Sequence, residues 1–211
     1  MTEHYFTTPH GQENRSEIHV PLQGRTVRVA TASGVFSPKA LDKGTAVLLD
    51  TVPPPQGTQL LDIGCGWGPL TLALGWGAQE SAQDGVCVTA IDINERSLAL
   101  TRDNAVTHGL GAVVETYRPE QVPKDRQFDT IWSNPPIRIG KQALHDLLLY
   151  WLARLSPSGT AWLVVQKNLG ADSLQKWLAH ALVQHTNEPW QVERVATSRG
   201  FRVLSVTRKP R

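Results

Sequence analysis

Hydrophobic and polar residues alternate on both sides of Gly24, with Ile18, Val20 and Leu22 before it and Val27 and Val29 after it. Period-two alternation about a glycine predicts a β-hairpin over 18–31. Ser37-Pro38 then opens a segment carrying Leu41, Ala46, Val47, Leu48 and Leu49, which predicts a helix over 38–51. Val52-Pro53-Pro54-Pro55-Gln56-Gly57 breaks it.

From there the pattern switches repeatedly between short apolar runs and helical periodicity. Strands are predicted at 59–63, 86–91, 112–116, 128–132, 160–166, 191–197 and 201–207. Helices are predicted at 68–76, 94–107, 140–155 and 172–185. Strands separated by helices imply an α/β fold, a doubly wound parallel sheet with both faces covered. The last two strands are joined only by Ser198-Arg199-Gly200, so they predict an antiparallel hairpin at one edge. The expected organisation is a hairpin-bearing N-terminal segment (1–37) and a second part (38–211) forming one structural unit.

Composition narrows this picture only modestly. The 211 residues are 40% hydrophobic and 19% charged, which suits one globular domain with a sizeable core. The net charge of +2 permits a nucleic-acid partner without requiring one. Cys65 and Cys87 form neither a disulfide framework nor a metal-ligand pattern, so no metal and a reducing, cytoplasmic setting are expected. Met1-Thr2-Glu3-His4-Tyr5-Phe6 has no basic-then-apolar leader pattern, and no apolar run is long enough for a membrane span. His4, Tyr5 and Phe6 make an aromatic start that could cover a pocket. Trp132, Trp162 and Trp177 fall in apolar patterns and read as core, whereas Trp67 lies in a glycine-rich loop and reads as a cover for a ligand.

Asp62-Ile63-Gly64-Cys65-Gly66-Trp67-Gly68 carries the first chemistry. A short apolar strand ends in a carboxylate, and alternate glycines then let the backbone turn sharply beside a ligand. The helix starting near Gly68 aims free N–H groups at the same place. A second acid, Asp92, follows the next strand and suits the hydroxyls of a ribose. Two carboxylates also suit a cationic ligand. The pattern departs from the dinucleotide fingerprint, because Pro69 stands where a glycine or alanine is required. Cys65 has no nearby histidine and reads as a small turn residue rather than a nucleophile.

Asn134-Pro135-Pro136-Ile137 sits at the carboxyl end of the strand predicted at 128–132. Ligands of open α/β sheets bind beyond such ends, so Asp62, Asp92 and Asn134 should share one rim. The Asn134 side-chain oxygen and the Pro135 carbonyl can accept hydrogen bonds from a planar amine. That favours a more tetrahedral nitrogen with an available lone pair. Two prolines stiffen the turn, which serves in-line positioning.

With these motifs, the chain resembles the class I S-adenosylmethionine-dependent methyltransferases with a Rossmann-like sheet, mostly parallel with a reversed C-terminal edge strand. Within them it resembles the small-domain group that includes ribosomal RNA guanine-N2 methyltransferases, and most closely its compact archaeal-type single-domain members. Gly34-Val35-Phe36-Ser37, Leu41-Asp42-Lys43-Gly44-Thr45, Ile137-Arg138-Ile139-Gly140-Lys141 and Gly200-Phe201-Arg202-Val203-Leu204 extend the resemblance. It implies donor contacts from Asp62, Gly64, Gly66 and Asp92, with Cys65, Gly68, Ile93, Tyr117 and Thr45 along the same site. It implies catalysis by Asn134, Pro135 and Pro136, and substrate contact by Phe36, Ile137, Arg138 and Lys141. Ribosomal RNA is the implied partner, methylated at guanine N2. Adenine N6, a protein glutamine amide, or a non-catalytic RNA-binding role stand as alternatives. Ile137 replaces an aromatic residue common in the family. Arg118 falls where an Asp or Asn often contacts adenine, leaving Tyr117 or backbone groups for that task. Arg138, Lys141, Lys167, Arg199, Arg202 and the tail Arg208-Lys209-Pro210-Arg211 supply a basic rim for phosphates.

Overall fold

The computed structural model describes residues 13–81 and 84–209. The aromatic start at His4, Tyr5 and Phe6 and the last two residues, Pro210 and Arg211, lie outside them.

Strands β1 (Arg15–Leu22) and β2 (Arg25–Ala32) form a separate antiparallel hairpin with a two-residue turn, Gln23-Gly24. The main sheet contains β3 (Gln59–Ile63), β4 (Cys87–Ile91), β5 (Val114–Tyr117), β6 (Phe128–Ser133), β7 (Leu155–Gln166), β8 (Trp190–Ser198) and β9 (Phe201–Arg208). Its order is β5-β4-β3-β6-β7-β9-β8. The first five are mutually parallel, and β9 runs antiparallel to both β7 and β8. The terminal hairpin therefore occupies an edge, as its short turn implies. Within it β8 is outermost, and the reversed strand β9 is inserted between β7 and β8.

Helices α1 (Lys43–Leu49), α2 (Pro69–Glu80) and α3 (Glu95–Thr107) precede β6, and α4 (Lys141–Leu152) and α5 (Ala171–Thr186) follow it. Consecutive strand residues face opposite layers. Leu60, Val88, Trp132, Val164 and Val203 pack with Val47 and Leu48 of α1 and Leu70 and Leu74 of α2. Leu61, Ile91, Ile131 and Leu163 pack instead with Leu148 and Leu152 of α4 and Leu178 of α5. Burial on both faces explains why neighbouring residues such as Leu60-Leu61 of β3 and Ile131-Trp132 of β6 are both apolar.

The hairpin adds a third layer outside α2 and α3, sharing a buried cluster of Val20, Leu22, Val29, Trp67, Leu72, Trp76 and Leu100. Trp67 is thus a core residue. Its ring is buried, and its Nε1 donates to the Ser37 carbonyl at 3.2 Å. Buried Asn104 of α3 stitches the layers. Its side chain accepts from Ala30 N (2.8 Å) and donates to the Ala30 and Trp67 carbonyls (2.9 and 2.8 Å).

Several boundaries depart from the sequence pattern: α4 stops at Leu152 and β7 begins at Leu155, where the pattern extended the helix, and two other helix ends shift further. Helix α1 begins at Lys43, because Asp42 caps it by accepting from Thr45 N at 3.0 Å. Helix α2 runs through Gly75 and Gly77 to Glu80. Both glycines mark close packing rather than a stop: a Cβ would fall 2.8 Å from Leu110 at Gly75 and 2.6 Å from Pro55 at Gly77. No helix among the described residues is long and apolar enough to cross a membrane.

Candidate active site

The carboxyl ends of β3, β4 and β6 converge on one cavity of about 380 Å³. Gly64 and Cys65 donate their N–H groups to the Ile91 carbonyl, at 2.9 and 3.0 Å, which ties the end of β3 to β4. Gly64 and Gly66 hold φ of 78° and 59°, and a Cβ at either would meet nothing within 4 Å. Positive φ selects glycine here, and the open space leaves bare backbone facing the cavity. Asp92 accepts from Gly66 N (3.0 Å) and Asn94 N (2.9 Å), so its carboxylate sets the shape of the loop as well as lining the cavity.

Asp62 is fully buried and accepts from the Thr71 hydroxyl at 2.6 Å. Its other oxygen is buried with no hydrogen-bond partner among the described residues. Burial, opposed by Thr71 and reinforced by the nearby Asp92 charge, pushes its carboxyl up to about 7. Burial also raises Asp92 above the usual carboxylate range, although backbone N–H groups oppose it. A cation held between these groups would favour their ionised forms. Burial holds the Cys65 thiol well above its ordinary value, and the Thr101 hydroxyl donates to it at 3.3 Å; it is a packed, protonated thiol.

Asn134 stands on the opposite side, just past β6. Its Nδ2 donates to Asp42 Oδ2 at 2.9 Å and to Thr45 Oγ1 at 3.1 Å. Pro136, at φ −74° and ψ 76°, centres an inverse γ-turn in which Ile137 N donates to the Pro135 carbonyl at 2.8 Å. The Pro135 oxygen therefore already has one protein donor and keeps one lone pair for a ligand.

The cavity brings together Gly64, Asp92, Ile93, Asn134, Pro135, Pro136, Ile137, Arg138 and Phe36 from the expected residues. Cys65, Gly66 and Thr45 line a small annex that shares Phe36, Asp42, Gly64 and Asn134 with it. Gly68 is the N-cap of α2 and lies behind the loop. Asp62 is fully buried and lines neither space, and Tyr117 and Lys141 do not line the cavity either. The Tyr117 hydroxyl donates to Glu115 at 3.2 Å and its ring lies under Arg126, away from the cavity; Ile93, Ser97 and Pro119 line that end instead. Arg118 pairs with Glu95 and Glu120 at 3.1 and 2.6 Å and does not line the cavity. Lys141, the first residue of α4, is exposed outside it.

Sequence reasoning missed Asp42, Ser97, Gln166, Leu169 and Phe201 as lining residues. Gln166 ends β7 and pairs in register with Phe201 at the start of β9, so sheet order alone delivers both. Of these only Asp42 has a local signal, the three-residue spacing to Thr45 that suits a helix N-cap, and the sequence pattern placed the helix start earlier. The loop bearing Phe36 is fixed in place by Asn94 Nδ2, which donates to the Gly34 carbonyl at 2.8 Å, and by Arg96, which donates to the Ser33 carbonyl.

The methyltransferase small domain family matches residues 26–205. The chain belongs to this family. Its small-domain match takes in most of β2, the glycine loop, Asn134-Pro135-Pro136 and most of β9. The uncharacterized protein YbxB of Bacillus subtilis is 33% identical over 178 residues, covering 82% of this chain and 86% of that protein. The ribosomal RNA small subunit methyltransferase C of Shewanella amazonensis is 28% identical over 88% of this chain and 54% of its own length. The T. thermophilus 16S rRNA N2 G1207 methyltransferase, solved with AdoMet and guanosine, superposes with a TM-score of 0.71 at 21% identity. That match covers 96% of this chain and 52% of the other, so the chain spans about half the length of these named enzymes. The fold is thus shared over 96% of the chain.

Proposed function

We propose that this chain transfers a methyl group from S-adenosylmethionine to the exocyclic N2 amine of guanine in ribosomal RNA. The observation that carries the reading is the committed Asn134 amide. Its nitrogen is spent on Asp42 and Thr45, which turns its oxygen to the cavity as an acceptor beside the stiff Pro135 turn. An acceptor pair of this kind suits the two protons of a primary amine. The named relatives, which act on small-subunit ribosomal RNA, support the choice of acceptor.

The donor fits the residues present. Bare backbone at Gly64 and Gly66 allows close approach, the Asp92 carboxylate in the cavity lining provides an acceptor for ribose hydroxyls, and the buried Asp62 adds negative charge that suits a cation. Ile93 and Pro119 offer apolar walls for an adenine ring. When bound, S-adenosylmethionine supplies a methyl carbon on a cationic sulfur. The chain's own part is orientation: Asn134 and Pro135 accept from the amine protons, so the nitrogen lone pair is freed toward the donor side. The amine loses its proton to water after transfer, so no strong base is required.

The acceptor half is walled by Ile137, Ile139, Leu147, Leu169 and Phe201, with Gln166 as a polar group. Apolar walls with one aromatic ring, Phe201, suit a purine even though Ile137 is not aromatic. Arg138, Lys43, Lys141 and Lys167 are exposed and take part in none of the ion pairs found among the described residues. By contrast Arg15, Arg25 and Arg28 of the remote hairpin are each paired with an acid. Free cations on the cavity side suit a phosphate backbone.

Donor binding is testable by thermal melting, since a ligand at 100-fold excess over Kd stabilises the native state by ~2.7 kcal/mol. A melting midpoint unmoved by saturating S-adenosylmethionine would remove the basis of the reading.

A further inference from the structure

Asp42 is the first residue outside α1, and 92 positions separate it from Asn134. Its Oδ2 accepts from Thr45 N at 3.0 Å and from Asn134 Nδ2 at 2.9 Å. The same amide nitrogen reaches Thr45 Oγ1 at 3.1 Å, and Thr45 is itself buried. An amide nitrogen has two protons, and here both have partners. Rotating the amide by half a turn would set its oxygen against a carboxylate that can only accept. Thr45 imposes no such rule, because a hydroxyl donates or accepts. The choice of amide face therefore rests on Asp42.

We propose that Asp42 is a positioning residue for methyl transfer: by accepting from Asn134 it fixes the amide with its oxygen toward the substrate amine, and it restricts position 134 to a side chain that donates toward it. Asp42 touches neither reacting atom in this role. Its carboxylate is in turn held still by the helix cap, so the rigidity of α1 is passed to the acceptor site. The proposal rests on the reading of Asn134 given above.

The test uses the full chain and four variants, Asp42→Ser, Asp42→Asn, Asn134→Asp and the double variant Asp42→Asn/Asn134→Asp. Activity is read with S-adenosylmethionine and unmodified small-subunit ribosomal RNA, and melting midpoints are read without RNA. Serine still caps α1 but is too short to reach Asn134. Asp42→Ser should lower kcat by roughly 100-fold, the scale of a misplaced reacting group, with donor affinity retained. Asp42→Asn should restore most of it, since an asparagine oxygen accepts from the same donors. Asn134→Asp puts two carboxylates face to face and should melt early and turn over poorly. Adding Asp42→Asn removes one of the two facing carboxylates, and should raise the melting midpoint and recover part of kcat.

Wild-type kcat in Asp42→Ser would overturn the proposal. So would an Asn134→Asp melting midpoint that Asp42→Asn fails to raise. The melting arm needs no turnover, so it judges the 42–134 contact even if the wild type methylates nothing, a result that would sink the functional reading instead.

Discussion

At the scale of single residues, Asp62 and Asn134 show how differently two polar groups are used at the same rim. Asp62 is buried with one oxygen satisfied and one orphaned, and its carboxyl is held near 7 against an ordinary 3.8. A raised acid binds its proton more tightly in the folded state than in the unfolded one. Its contribution to stability is therefore greatest below pH ~4 and is lost as pH rises toward ~7. Asp62→Asn keeps an acceptor for Thr71 and removes that titration. The melting midpoint of the variant relative to wild type should rise between pH 5 and pH 8, and parallel curves would contradict the assignment. Donor binding should also release a proton near neutral pH, because a cationic ligand lowers the same group. Asn134 does its work through direction. Asn134→Ala should cut kcat by roughly 100-fold while leaving the donor-induced melting shift in place. The glycines and both carboxylates of the loop were legible in the sequence because their chemistry is local. Tyr117 was misread because strand pairing turned its side chain toward Glu115 and Arg126, which no local pattern announces.

At the scale of elements, α2 is set by what lies against it. A helix containing Gly75 and Gly77 is weak by propensity, and the pattern read as ending at Trp76. Packing supplies the difference, because Leu110 and the Pro55 ring occupy the space where side chains would stand. Gly77→Ala gains up to ~1 kcal/mol in helix propensity. It also meets a rigid proline ring at 2.6 Å, which costs about 1–3 kcal/mol. We expect net destabilisation by urea unfolding, and a stabilised variant would show that the Pro53-Pro54-Pro55 loop yields easily. The hairpin depends similarly on Asn104. Replacing it by alanine strands the Ala30 N–H and two carbonyls between layers. The expected loss is about 1–3 kcal/mol. The hairpin itself was visible from alternation alone; that Trp67 would anchor it was not, because a glycine-rich loop gives no sign of which way its one large side chain turns.

At the scale of the whole molecule, sheet order gathers residues from distant parts of the chain onto one rim. Insertion of β9 beside β7 brings Phe201 and Gln166 to the acceptor half, and α1 delivers Asp42 and Thr45 to Asn134. The alternation of strands and helices foretold a parallel sheet with a terminal hairpin, but the lining residues that arrive through topology were invisible until that order was known. Charge divides along the same lines. Lys141→Ala and Lys167→Ala should each reduce the dependence of log affinity on log salt by about 0.7–0.9 in RNA binding, while Arg28→Ala on the hairpin should not. Equal effects at all three sites would remove the case for an RNA path across the cavity face.

The central claim is methyl transfer to guanine N2 under the control of Asn134. It is tested most directly by nucleoside mass spectrometry of unmodified small-subunit ribosomal RNA, naked and assembled into particles, after incubation with S-adenosylmethionine and the enzyme. The account predicts N2-methylguanosine with the wild type and its loss with Asn134→Ala. N6-methyladenosine alone, or no methylated nucleoside from a protein that binds the donor, would contradict it.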